Sequence, residues 1–341
     1  MSKIYIVTGA NGHLGNTIIR QLSLQNGEVR GLVLKNEDLS LLKGLKVKIY
    51  QGNVCDKQSL EEIFKHNEDD ELYVIHTAGI ISIANKISNK IYDVNVQGTM
   101  NIVDLCIQNH VKRLVYVSSV HAIKENDDVI KETYDFSDEY VVGGYAKSKA
   151  LATKYVLSKR DDLDLVVVHP SGIIGPYDYG HNHLVELVSD FASNKLKTAV
   201  KGGYDFVDVR DVASATINAL EKGKRGNCYI LSGKYYSIKD MLNMLASEIN
   251  HKPLKHLTPT WCAKMALPFI SLHAKIHHKR PLFTAYSLYT LEASSNFDNS
   301  KAKNDLDFNP RDFKETLVDT YNFLKTNNVM TSRKLKTKLA K

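Results

Sequence analysis

The sequence predicts an α/β protein built on a doubly wound parallel sheet with a smaller interleaved C-terminal lobe, and three observations predict it. Short apolar runs alternate with longer helix-like stretches, the runs are continuous rather than alternating, and the first ends in a glycine-rich turn that opens a helix. Strands covered by helices on both faces read as unbroken hydrophobic runs, whereas a half-exposed strand alternates. The strand candidates are residues 4–7, 29–34, 47–50, 72–75, 113–117 and 165–168. Between them, residues 16–25, 59–66, 94–110 and 145–159 carry helical spacing and supply the crossovers. After Gly175-Pro176 the alternation decays, and residues 206–209 and 228–231 read as further strands returning to the sheet from the smaller lobe.

With 341 residues and 43% hydrophobic content, the chain is long enough for one large domain or two small ones with a real core. The net charge of +7 looks like a preference for anionic partners, yet Arg333, Lys334, Lys336, Lys338 and Lys341 crowd the last positions, and the body without them is nearly balanced. A short basic terminus is commonly a solvated, disordered end, so no nucleic-acid partner is expected. The cluster His277-His278-Lys279-Arg280 reads as an exposed loop before Pro281. Cys55, Cys106, Cys228 and Cys262 are scattered, without C-x-x-C or a neighbouring His, which points to neither a disulfide framework nor a metal site and fits a reducing cytoplasm. Neither a cleavable signal peptide nor a transmembrane segment is expected, because no apolar stretch approaches the roughly 20 residues a spanning helix needs.

The first strand runs into Thr8-Gly9-Ala10-Asn11-Gly12-His13-Leu14-Gly15, a G-x-x-G-x-x-G turn with a helix expected from about Asn16. Glycine there permits close approach of the backbone, and a helix N-terminus offers amides and a positive dipole end to a pyrophosphate. The second strand should end in an acid if the cofactor is NAD(H), since a carboxylate pairs with the ribose hydroxyls and repels a 2′-phosphate. It ends instead in Val33-Leu34-Lys35. Lys35, with Arg30, is suited to a phosphate, so NADP(H) is favoured slightly over NAD(H), while Glu37 and Asp38 remain close enough to swing in.

Tyr145-Ala146-Lys147-Ser148-Lys149 is a Y-x-x-x-K motif, which on a helix places Tyr145 and Lys149 one turn apart on one face. A phenol near pKa 10 is a poor proton donor and acceptor at neutral pH, and an adjacent ammonium favours its ionised form. Ser118 and Ser119 follow the strand at 113–117, at the carboxyl end where parallel sheets hold ligands.

These segments, in this order, resemble the extended short-chain dehydrogenase/reductase family over about residues 1–328. The matching motifs are TGANGHLG, HTAG at His76–Gly79, NVQGT at Asn95–Thr99, VYVSS at Val115–Ser119, YAKSK at Tyr145–Lys149, HPSGIIGP at His169–Pro176, FVDVRDVASA from Phe206 and SKAKNDLDFNPR from Ser300. The resemblance implies a Rossmann domain over residues 1–175 with returning segments near 204–232, a substrate-binding lobe mainly over 176–328, and a basic tail over 329–341. It implies Ser119, Tyr145 and Lys149 as the catalytic residues. It implies cofactor contacts from Gly9, Asn11, Gly12, His13, Leu14, Gly15, Lys35, Asn53, Val54, Thr77, Ala78, Gly79, Asn95, Tyr145, Lys149, Pro170 and Ile173. Asn53 stands where the family usually has an Asp on the adenine, which leaves that contact to an amide. A homodimer through the helices at 94–110 and 145–159 is a further family expectation.

Within the family, dehydratases carry an acidic pair after the catalytic hydroxyl residue, whereas Ser119 is followed by Val120-His121-Ala122. The His169-Pro170-Ser171-Gly172 segment is closer to the hydroxysteroid and dihydroflavonol branch than to the epimerases. Ile80, Ile81 and Ile83, with Trp261, Met265, Leu267, Phe269 and Ile270, are candidates for an apolar pocket, although such residues are more often core. His121 and His169 lie near the site in sequence but read as structural. The expected activity is the NAD(P)(H)-dependent interconversion of an apolar ketone and a secondary alcohol. A sugar-nucleotide epimerase is the alternative, and a non-catalytic NAD(P)-sensing protein is a third reading that Tyr145 and Lys149 argue against.

Overall fold

The computed structural model describes residues 2–125, 128–178, 182–196, 198–276 and 284–329, with the backbone alone over 271–275. In chain order the strands are β1 (Lys3–Thr8), β2 (Glu28–Val33), β3 (Lys48–Gln51), β4 (Glu71–His76), β5 (Arg113–Val117), β6 (Leu165–Pro170), β7 (Gly172–Ile174), β8 (Thr198–Val200), β9 (Gly203–Asp208), β10 (Cys228–Leu231), β11 (Lys234–Ser237) and β12 (His256–Thr258). The helices are α1 (His13–Leu22), α2 (Glu61–Phe64), α3 (Asn89–Tyr92), α4 (Gly98–Gln108), α5 (Gly144–Ser158), α6 (His183–Ala192), α7 (Val209–Glu221), α8 (Ile238–Glu248), α9 (Thr260–Ile276), α10 (Ala285–Glu292), α11 (Ser300–Leu306) and α12 (Phe313–Thr326). No described helix is long and apolar enough to cross a membrane.

The chain divides into two compact units. The first takes residues up to Ser171, then Arg210–Ser232 and Asn296–Asn309. Its sheet runs β3-β2-β1-β4-β5-β6-β10, with every pairing parallel. The unbroken apolar runs are the reason: Ile6, Val7, Val74, Ile75, Leu114, Val115, Val166 and Val167 are all buried, so β1, β4, β5 and β6 are sandwiched as the sequence predicts, whereas the edge strand β3 has no buried residue. The strand order turns back between β1 and β4, which opens the crevice where doubly wound sheets hold ligands. At the outer edge, the Ile230 amide of β10 donates to the Glu132 carboxylate at 3.0 Å, so that edge is covered by a side chain.

The second unit takes Gly172–Val209, Gly233–Ser295 and the chain from Pro310 onward. A three-stranded sheet, β11-β9-β7, and the pair β12-β8 pack on a core that includes Val188, Phe191, Phe206, Met241, Leu245, Phe313 and Leu317. Two of the family landmarks meet here, where the Arg311 guanidinium stands 3.6 Å from the fully buried Asp208 carboxylate.

The structure departs from the sequence expectations in several places. Helix α1 starts at His13 rather than Asn16, with Gly12 as its extended cap. The helix expected over 59–66 is only the short α2, preceded by a 3₁₀ turn at Gln58–Leu60. The helix expected over 94–110 begins earlier, at Asn89, and widens into π geometry over Asp93–Gln97 before α4. The strand expected at 206–209 is β9, which pairs inside the second unit, and Val209 already begins α7, so the chain returns to the main sheet only through β10. The cluster at 277–280 and the tail beyond Val329 lie outside the described residues.

Candidate active site

The glycine turn is built by close approach. Gly9 sits at φ +65°, and the Gly12 amide donates to the Gly9 carbonyl at 2.9 Å. A Cβ on Gly15 would stand 2.1 Å from the Gly9 oxygen, and one on Gly9 would stand 2.9 Å from the Ala78 backbone. The first turn of α1 contains no acid, and its leading amides lie outside the helical hydrogen-bond ladder. Asn11 donates its side-chain amide to the Asp38 carbonyl at 2.8 Å. Its Oδ1 is buried and has no partner among the described residues. A cradle that tolerates no Cβ and a helix start fit the pyrophosphate of a dinucleotide, and the orphaned acceptor fits a donor such as a ribose hydroxyl.

Around the turn, Lys35 is exposed at the end of β2, and the Glu37 carboxylate accepts from the Leu34 amide at 3.4 Å. Arg30 does not reach this place. It is buried, with its guanidinium bound by Glu28 at 2.6 Å and by the carbonyls of Ile63 and Lys65, so its expected role toward a phosphate is corrected. Asn53 uses Oδ1 to accept from the Cys55 amide at 3.0 Å. Val54 is buried, and its carbonyl accepts from Asn101 at 2.8 Å.

From the turn, hydrogen bonds run to α5. The Thr77 hydroxyl donates to the Thr8 carbonyl at 2.7 Å, and the Ala78 amide to the Thr8 hydroxyl at 3.2 Å. His76 joins Thr8 Oγ1 at 2.7 Å through Nδ1 and Thr99 Oγ1 at 3.1 Å through Nε2. Because the Thr99 hydroxyl spends its proton on the Asn95 carbonyl at 2.7 Å, Nε2 is the nitrogen that carries the hydrogen. Asn95 accepts from the Ile80 amide at 2.7 Å and donates to the Ile80 carbonyl at 3.0 Å and to Ser148 Oγ at 2.9 Å. Ser148 in turn donates to the Tyr145 carbonyl at 2.7 Å. The π turn at Asp93–Gln97 thus holds the residue that ties the loop after Gly79 to α5.

At the end of β5, Ser119 Oγ accepts from the His121 amide at 3.2 Å, and its hydroxyl lies beside the Tyr145 phenol. Burial pushes the phenol up to about 12, and the Ser119 hydrogen bond pulls the other way. Lys149 donates to the Val117 carbonyl at 2.8 Å and lies over the Tyr116 ring, with burial pulling its ammonium down to about 7. Lys149 remains the buried cation beside Gly79, 3.6 Å from where a Cβ on that glycine would stand.

The structure therefore brings the glycine turn, Thr77, Ala78, Gly79, Asn95, Ser119, Tyr145 and Lys149 into one connected arrangement. Pro170 ends β6 in the same unit, and Ile173 belongs to β7 of the second unit, paired with Val207. Sequence reasoning gave no role to His76 or Ser148, although both stand inside quoted motifs. It also set aside His169, whose ring is fully buried, stacks on Phe136 at 5.4 Å and donates from Nδ1 to the Ser119 carbonyl at 3.0 Å. Of the apolar-pocket candidates, Ile81, Trp261, Met265 and Phe269 are exposed rather than enclosed.

Burial holds His76 at about 3 and His169 at about 4, below the value of about 6.5 for an unfolded chain. Both are neutral in the folded state and take a proton only on unfolding. Their contribution to stability is complete above about pH 6.5 and is lost as pH falls toward 4, at on the order of 1.4 kcal/mol per pH unit for each histidine. Urea midpoints measured between about pH 7.5 and about pH 5 should fall accordingly, and a flat profile would contradict the buried neutral imidazoles.

Comparison with known proteins agrees with this geometry. Residues 5–232 match the model of the NAD dependent epimerase/dehydratase family. The chain is 29% identical over 318 residues to sterol demethylase protein B of Methylococcus capsulatus, covering 92% of this chain and 96% of that one. It is 28% identical over 329 residues to a putative dihydroflavonol 4-reductase of Synechocystis, covering 94% of each. The crystal structure of gox2253 superposes with a TM-score of 0.82 at 26% identity, covering 96% of this chain and 99% of that one. With its parallel sheet, glycine turn and Ser-Tyr-Lys cluster, the chain belongs to the NAD-dependent epimerase/dehydratase family of extended short-chain dehydrogenases/reductases and is an NAD(P)-dependent oxidoreductase.

Proposed function

We propose that the protein interconverts an apolar ketone and its secondary alcohol, with Tyr145 as the proton donor and acceptor. The observation that carries this reading is the placing of the Ser119 hydroxyl beside the Tyr145 phenol at the carboxyl end of β5, on the same helix as the buried Lys149 ammonium. In the reducing direction, Ser119 holds the carbonyl oxygen and Tyr145 gives it a proton from the phenol oxygen. Lys149 stabilises the phenolate left behind, and a group near pKa 7 exchanges protons readily at neutral pH. When bound, the nicotinamide supplies or accepts the hydride at the substrate carbon. Gly9, Asn11, Gly12, His13, Leu14 and Gly15 would hold its pyrophosphate, with Asn53, Val54, Thr77, Ala78, Gly79, Asn95, Pro170 and Ile173 as the remaining contacts. The first unit is the cofactor domain in this reading, and the second is mainly for substrate.

The apolar substrate class draws support from the two relatives matched along nearly their whole length, which are named for sterol and flavonol chemistry, and from the lack of an acid after Ser119. Exposed Lys35 supports NADP(H) over NAD(H). The test is oxidation of NADPH and NADH, followed by nicotinamide absorbance, against steroid ketones, flavanonols, small aldehydes and UDP-sugars. Turnover of a steroid or flavonoid ketone, faster with NADPH, is the expected result. Silence on every ketone together with interconversion of a UDP-sugar would replace this reading with the epimerase one.

A further inference from the structure

Helix α9 carries an apolar stripe that faces solvent. Trp261 is 63% exposed, Met265 68%, Phe269 76% and Ile276 64%, and at 100° per residue all four fall within a quarter-turn of one another on the helix surface. Away from the stripe, Ala263 is buried, and on its flank the half-exposed Lys264 is paired with Glu292 of α10 at 2.8 Å. Contiguous large apolar groups left in water mark an interaction surface.

The charge of the sequence on either side of the stripe says what kind of surface it meets. Between Glu248 and Glu292 the sequence has no acidic residue at all, while it has six Lys or Arg and five His, so this segment is strongly basic in a body that is otherwise slightly acidic. Lys252, Lys255 and His256, just before the helix, are exposed. A stripe of Trp, Phe, Met and Ile set in an acid-free basic segment has the chemistry of a helix that lies in a membrane interface, its apolar side among acyl chains and its cations among anionic headgroups. A protein partner or a second copy would need a complementary acidic apolar patch, and the acidic residues of this chain give no sign of one on α9 itself. We propose that α9 docks the protein on the surface of an anionic phospholipid bilayer without crossing it.

Trp261 is the only tryptophan in the chain, so its emission reports on this face alone. Vesicles of equimolar phosphatidylcholine and phosphatidylserine should shift that emission to the blue and float the protein, and phosphatidylcholine alone should do so far less. Added salt should weaken the effect by screening the headgroup attraction. Phe269→Glu should lower the vesicle partition coefficient by roughly tenfold or more, given what burial of one Phe is worth, with an unchanged thermal midpoint as the check on folding. Unshifted emission with anionic vesicles overturns the proposal. So does emission already blue in the free protein together with a dimer in sedimentation, which would make a second copy the occupant. Equal binding to neutral vesicles overturns its electrostatic half.

Discussion

Tyr145→Phe should reduce turnover by roughly 10²–10⁴-fold, the usual cost of losing a general acid/base, and leave NADPH affinity within a few fold. The substitution removes one oxygen and nothing structural. The Tyr145 carbonyl still accepts from Ser148, and the Ser119 side chain still accepts from the His121 amide. Cofactor affinity should hold because the pyrophosphate cradle is formed by the glycine turn. The wild-type profile carries a second signature. Lys149 is held at about 7 and Tyr145 at about 12 by burial, so oxidation of the alcohol, which needs the phenol able to take a proton, should rise with pH. Single-turnover hydride transfer is the measurement that decides, and a rate equal to wild type would remove Tyr145 from the chemistry.

Gly15→Ala should abolish tight cofactor binding, raising the dissociation constant on the order of a hundredfold or more, since charge-assisted hydrogen bonds to phosphate contribute roughly 1.5–3 kcal/mol each. The new methyl would stand 2.1 Å from the Gly9 oxygen and 2.8 Å from its carbon. The turn has no room to retreat, because Gly9 already lies close against the Ala78 backbone. The helix must therefore move off the strand, which carries its amides away from the phosphates, and such overpacking costs roughly 1–3 kcal/mol of stability. Calorimetric titration with NADPH reads the first effect and thermal unfolding the second. Unaltered affinity would mean that the pyrophosphate does not sit at this turn.

Much of this architecture is legible in the residues. The central runs of β1, β4, β5 and β6 are apolar without a break because both faces are covered, and that physical cause reads directly from sequence. The glycine turn and the Tyr145–Lys149 spacing are local patterns, visible for the same reason. What escapes is the result of long-range capture. Arg30 looks like a phosphate ligand until the carbonyls of Ile63 and Lys65 take it. The widening at Asp93–Gln97 carries Asn95, whose side chain pairs with the backbone of Ile80, a pairing that no helical periodicity announces. On α9, the spacing of Trp261, Met265 and Phe269 would be identical whether the stripe faced a core or solvent, and only the packed structure decides its direction.

The bonds linking Thr8, His76, Thr99, Asn95 and Ser148 to the backbone of Tyr145 have a consequence for how the enzyme spends conformational freedom. Most of these side chains are buried, and each bond fixes the orientation of the next. The ordering of the glycine turn and of α5 is therefore completed once, during folding, instead of at every encounter with a ligand. A gap opened anywhere along the relay, for example by His76→Ala, loosens both ends together, so the two halves of the site share one stiffness.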